Sequence, residues 1–157
     1  MHPFPYRLSL DADDEPCLGL VVLQVDETIE QDVRRLVPAE SARIHVTRIP
    51  AGDRLTPKTI AGMEAELEQA TTLLPDRRFA ALAYCCTSGT ARIGAERVAD
   101  RVLEARSAQA VTNPLSAAMA AFSALGVQSI GMVYPYLDSV AGPIQAAFRQ
   151  AGFEVPL

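Results

Sequence analysis

Short apolar runs alternate along this chain with stretches whose apolar residues recur at helical spacing, and that alternation confines it to an α/β fold with a largely parallel sheet. Residues 18–25 read as a first strand. Asp26 or Thr28 then caps a helix with Ile29, Val33 and Val37 on one face, stopped by Pro38, and Thr28 with Gln31 has capping-box spacing. Residues 42–49 form a second strand. Thr56-Pro57 opens a helix carrying Ile60, Met63, Leu67, Ala70 and Leu74. Residues 79–84 are a short buried strand, followed by one helix with Ala95, Val98, Ala99 and Val102 at helical spacing. Residues 109–112 give a fourth strand, after which Asn113-Pro114 caps a helix with Leu115, Ala118, Met119, Phe122 and Leu125, closed by Gly126. The pattern then weakens into a fifth strand at 127–133, a helix at 139–151 whose start Gly142-Pro143 delays, and the stub of a sixth strand at 153–155.

Where the third strand hands over to its helix the sequence is Tyr84-Cys85-Cys86-Thr87-Ser88-Gly89-Thr90. Cys86 falls just ahead of a helix N-terminus, whose free N–H groups and positive dipole end favour a thiolate or a bound carboxylate. Cys86 is therefore the thiol of the three from which reactivity and access are expected. A buried free cysteine also serves as a small hydrophobe, and Thr87, Ser88 and Thr90 serve equally as helix caps. If Tyr84 and Cys86 face one way, Cys85 faces the other and packs against a helix.

Parallel sheets bind ligands in the crevice beyond the carboxyl ends of their strands. Collecting the residues that follow each strand gives Gln24, Asp26 and Thr28, then Cys86, Thr87 and Ser88, then Asn113, then Tyr134 and Tyr136. Asp26 and Asn113 have a competing duty as caps, and Tyr136 as a half-buried aromatic. No glycine fingerprint marks a dinucleotide or P-loop site. His45 alternates with apolar residues inside a strand and reads as a surface or core residue, so no serine-histidine-acid set is assembled.

Charge and cysteine usage narrow the function classes. A formal net charge of −5 over 157 residues, with scattered arginines, lacks the basic stripe a nucleic acid needs. Three cysteines, two adjacent, match neither a zinc site nor a disulfide framework and point to a reducing, cytoplasmic setting. The start of the chain has no apolar core of a signal peptide, and no stretch is long and apolar enough to cross a membrane.

With these residues in place, the chain resembles the aspartate/glutamate racemase superfamily, in the branch of maleate cis-trans isomerases and arylmalonate decarboxylases, and within it the ectoine-utilisation proteins. The likeness is carried by Leu23-Gln24-Val25-Asp26-Glu27-Thr28-Ile29-Glu30, by Tyr84 to Thr90 with Ile93-Gly94, by Val111-Thr112-Asn113-Pro114-Leu115 with Ala117-Ala118, and by Tyr134-Pro135-Tyr136. The resemblance implies two similar α/β lobes with a small carboxylate or amino acid held between them, no metal and no cofactor. The implied chemistry is on the carbon next to a carboxylate: a cysteine adds to the substrate or moves a proton, while hydroxyls and N–H groups hold a carboxylate or enediolate. Cys86 matches the first-lobe thiol, Thr87 and Ser88 the hydroxyl pair after it, and Tyr136 the tyrosine of a Thr-Pro-Tyr motif in which this chain has Tyr134 for the threonine.

Two departures accompany the match. Isomerases of the family place an asparagine where Asp26 stands, and their second-lobe cysteine would fall beyond Leu157. The expected organisation is therefore an N-terminal extension at 1–17, a complete first α/β lobe at 18–113 and an incomplete, truncated second lobe at 114–157. An apolar strand edge left without a neighbour would recruit a partner chain, a homo-oligomer included, or fray. The reaction expected is cofactor-independent isomerisation, racemisation or decarboxylation of a small acid, in ectoine degradation by the nearest likeness. The alternatives are a carboxylate-binding or regulatory module without turnover and a redox role for Cys85 and Cys86, whose adjacency would strain a bridge.

Overall fold

The computed structural model of the protein describes residues 4, 5, 15–52 and 56–156. Strands β1 (Cys17–Leu23), β2 (Arg43–Ile49), β3 (Ala81–Tyr84) and β4 (Val111–Thr112) form one all-parallel sheet in the order β2-β1-β3-β4. Helices α1 (Ile29–Leu36), α2 (Pro57–Thr72), α3 (Thr87–Ile93), α4 (Ala95–Ala105), α5 (Pro114–Ala124) and α6 (Asp138–Gln150) complete it. The fold is the expected α/β class. In β1, Leu20, Val21 and Val22 are all buried, as a strand covered on both faces requires. The chain runs outward from β1 to β2 and back across β1 to β3, and α2 packs on the sheet and against α4. The winding changes direction between β1 and β3.

The α2 face is held by a continuous apolar core. Ile60, Met63, Leu67 and Ala70 of α2 meet Val21, Ile49 and Tyr84 of the sheet, with Val98 of α4 and Val140 of α6. At the start of α2, Thr56 Oγ1 accepts from Thr59 N–H at 3.2 Å and Thr59 Oγ1 accepts from Thr56 N–H at 2.9 Å, a closed capping box. A second core gathers Leu115, Ile130, Ile144, Phe148, Phe153 and Val155, with the Phe122, Phe148 and Phe153 rings 5.8 to 6.2 Å apart.

Several expectations are corrected. The single helix after β3 is two, because Gly94 adopts φ 98°, a left-handed conformation that breaks the hydrogen-bond ladder between α3 and α4. The capping box at Thr28 does not form; Thr28 makes no side-chain cap bond, and Asp26 Oδ1 takes the N–H groups of Thr28 and Ile29, each at 2.9 Å. Leu125 lies past α5 and is exposed, and Pro143 lies inside α6 rather than delaying it. The fifth and sixth strands reduce to one parallel bridge, Ser129 to Glu154. Ile130 and Val155 are buried in the second core, but Val133 is fully exposed. Among the described residues no helix is long and apolar enough to cross a membrane.

His45 in β2 supplies a pH test of the packing. Its ring meets Phe79 edge-on at 5.9 Å and its Nε2 is buried without a hydrogen-bond partner. Burial, then the charges of Arg77 and Arg43, hold its pKa below 6.5. The unfolded chain thus takes up a proton that the folded one resists, and stability falls as pH drops through about 6.5 and below. Thermal melts from about pH 7.5 down to about pH 5.5 are expected to show a steeper loss in the parent than in His45→Gln. Equal slopes would refute it.

Candidate active site

Beyond the carboxyl ends of β1 and β3, where the winding changes direction, lies a cleft of about 360 Å³. Six of the nine residues collected from the strand ends line it: Asp26, Thr28, Cys86, Thr87, Ser88 and Tyr136. The other three do not. Gln24 is exposed in the turn after β1, its N–H donating to Ile49 O at 2.8 Å, and Asn113 is buried with Oδ1 accepting from Ser116 N–H at 2.8 Å as the cap of α5. Tyr134 is also outside the lining, its hydroxyl accepting from Gln145 Nε2 at 2.8 Å. A second cleft of equal volume, around Cys17, Arg77, Arg78 and Gln109, holds none of the candidates.

Cys86 is the N-cap of α3 because the extended backbone of β3 runs straight into the helix. Its Sγ accepts from Gly89 N–H at 3.2 Å and lies 3.6 Å from Ser88 Oγ, while Thr90 Oγ1 donates to Cys86 O at 2.8 Å. Hydrogen bonds from N–H and O–H groups favour a sulfur that carries negative charge. The access expected for this thiol is narrower than the sequence suggested: Cys86 is only 5% exposed.

Cys85 departs from expectation in the other direction. It lines the same cleft as Cys86, half-buried, with Sγ 3.6 Å from Ala83 O. Burial, then the Asp26 carboxylate and then Cys86, push its thiol up to about 12, so it keeps its proton at neutral pH. The two neighbouring sulfurs are chemically unequal.

Asp26 owes its position to a residue that the sequence did not reveal. Arg48, on the neighbouring strand β2, donates through Nη1 to the carbonyls of Leu23 at 3.1 Å, Gln24 at 3.3 Å and Asp26 at 2.8 Å, and pairs through Nη2 with Glu30. The loop after β1 is thereby tied to its neighbour. Asp32, Leu23, Ile29 and Pro114 also line the cleft without having been singled out as site residues. The hydroxyl of Tyr84, hidden at the end of an apolar run, was missed as well. Among the described residues no three of His, Cys, Asp and Glu gather as a metal set.

No protein-family model matches the sequence, and no curated protein matches it. Solved structures do. The maleate isomerase Iso from Pseudomonas putida S16 superposes with a TM-score of 0.75 at 21% identity, over 90% of this chain and 62% of that one. The Nocardia farcinica maleate cis-trans isomerase, in a mutant with a covalently bound succinylcysteine intermediate, gives 0.76 at 23% identity, over 88% and 60%. A double mutant of arylmalonate decarboxylase in its liganded form gives 0.69 at 18% identity, over 89% and 59%. The chain thus has the α/β fold of the maleate isomerases and arylmalonate decarboxylase, and spans about 60% of the length of those solved chains.

Proposed function

We propose that the protein carries the thiol side of a cofactor-independent isomerase, racemase or decarboxylase that acts at the carbon next to a carboxylate of a small acid, with Cys86 as the reacting group. The observation that carries this is the cleft itself. One hydrogen-bonded sulfur, the residues Thr87 and Ser88 with their hydroxyls, and Tyr136 share a space sized for a small molecule. Asp26 Oδ1 accepts from the N–H groups of Thr28 and Ile29 at the start of α1, which leaves Thr87, Ser88 and Tyr136 as the donors for an anionic substrate.

In this reading Thr87, Ser88 and Tyr136 receive a carboxylate and Cys86 attacks beside it. With an unsaturated diacid such as maleate, the S–C bond forms as the C=C pair moves onto the carboxylate as an enediolate. Rotation about the new single bond and collapse of the enediolate expel the thiolate and release the isomer. With a saturated acid the same thiolate takes the α-proton and returns it. The succinylcysteine in the Nocardia farcinica enzyme supports sulfur addition on this fold. By the likeness of the sequence segments, the substrate class proposed is a small amino acid of ectoine degradation, handled in the cytoplasm. Residues 18–113 are proposed as the first lobe, with 114–157 as part of a second.

The test combines two readouts on the purified chain. Incubation with maleate followed by intact-mass and peptide analysis is expected to give one adduct, on Cys86. Proton NMR in deuterated water, over maleate, amino acids and an arylmalonate, is expected to show isomerisation or exchange at the α-carbon with one of them. An adduct with no turnover would favour the binding-module reading. No adduct and no exchange would refute the proposal, and an adduct on Cys85 alone would reassign the thiol.

A further inference from the structure

Tyr84 ends β3 with its whole side chain out of solvent, yet its hydroxyl reaches the thiol loop. A Cβ placed on Gly89 would lie 2.3 Å from Tyr84 Oη and 3.0 Å from Cys86 Sγ. The phenol oxygen and the sulfur therefore flank the same point, and the absent side chain of Gly89 is what admits them both. In this arrangement Oη donates to Met63 Sδ at 3.6 Å, and a thioether is a weak acceptor. Burial, reinforced by the neighbouring cysteines, holds the phenol above its ordinary range, so the hydroxyl keeps its proton. A phenol that keeps its proton has that proton to donate.

We propose that Tyr84 is a positioning residue for the Cys86 thiolate: its hydroxyl turns from Met63 Sδ to Cys86 Sγ when the sulfur is charged, joining Gly89 N–H and the Ser88 hydroxyl as a third donor. This rests on Cys86 being the reacting group. No proton leaves Tyr84; the hydrogen bond changes acceptor, and changes back when the sulfur bonds to carbon. The other titratable groups around the cleft are Asp26, Asp32, Cys85 and Tyr136. Asp26 Oδ1 is held by the N–H groups of Thr28 and Ile29, Asp32 Oδ1 by Arg35 Nη1, and Cys85 Sγ lies against Ala83 O at 3.6 Å.

The test follows the ultraviolet absorbance of the thiolate with pH, each protein read against its own Cys86→Ser version so that only Cys86 contributes. Tyr84→Phe keeps the ring and removes the donor. The pH of half-signal is expected to rise by about one unit, and iodoacetamide labelling of Cys86 at neutral pH to slow about tenfold. Met63→Leu, which removes the competing acceptor at nearly constant volume, is expected to move the half-signal pH down, and it stands as the test should Tyr84→Phe fail to fold. An unmoved half-signal in the folded variants overturns the role of Tyr84. Maleate adduct formation at Cys86 would persist in that case if the thiol assignment holds, and would be absent if that assignment fails too.

Discussion

Cys86→Ser is expected to lower turnover by at least about a thousandfold while the protein folds and melts almost as before. Serine suits this test because it is a favoured N-cap residue, so its hydroxyl takes over the Gly89 N–H that Sγ now holds at 3.2 Å. The loop keeps its shape, and what is lost is the nucleophile. Cys85→Ser in the same cleft is expected to change turnover only a few-fold, since that thiol stays protonated, pushed up to about 12 by burial and by Asp26. Steady-state rates on the substrate found by NMR, beside thermal melts of both variants, decide it. An active Cys86→Ser enzyme with an inactive Cys85→Ser one would reverse the assignment.

Gly89→Ala is expected to be the most damaging single-methyl change in the site. The new Cβ would fall 2.3 Å from Tyr84 Oη and 3.0 Å from Cys86 Sγ, both held in the core beneath α2. Tyr84 has no solvent side to retreat to, so α3 or the ring must shift, at a cost of about 1–3 kcal/mol. For a chain of this length each kcal/mol corresponds to about 2–4 °C in melting temperature. The displacement also moves the sulfur, so thiolate chemistry is expected to fail even at temperatures where the variant is folded. Gly62→Ala is the matched control: a Cβ there meets nothing within 4 Å, and within α2 alanine is expected to stabilise by up to about 1 kcal/mol. If Gly89→Ala melts like the parent and labels normally at Cys86, the close packing of Tyr84 against the thiol loop is wrong.

How far the sequence predicted this molecule depended on whether the decisive forces were local. The four sheet strands and α2 were legible because apolar patterning and the Thr56-Pro57 signal belong to each segment alone. Residues 127–133 have a strand's composition yet form only the Ser129 to Glu154 bridge, because a strand exists only with neighbours to bond. The rule that sites follow strand ends brought Asp26, Thr28, Cys86, Thr87, Ser88 and Tyr136 to one cleft. It also swept in Gln24 and Asn113, whose polar groups serve their own turn and helix end. Arg48 and Tyr84 stayed hidden for opposite reasons. Arg48 is an exposed arginine whose partners are the main chain at the end of β1 and the Glu30 carboxylate, far from it in sequence, and Tyr84 lay inside an apolar run that its ring, not its hydroxyl, explains.

The grip of Arg48 on three successive stretches of main chain has a use in engineering. It grasps carbonyl oxygens, which every amino acid possesses, and so specifies the path of the loop after β1 without specifying its side chains. Gln24 and Val25, both exposed on that loop, can be randomised while its anchorage persists. A library built there would vary the loop beside the cleft upon a fixed footing, with the thiol and its hydroxyls on a different segment of the chain.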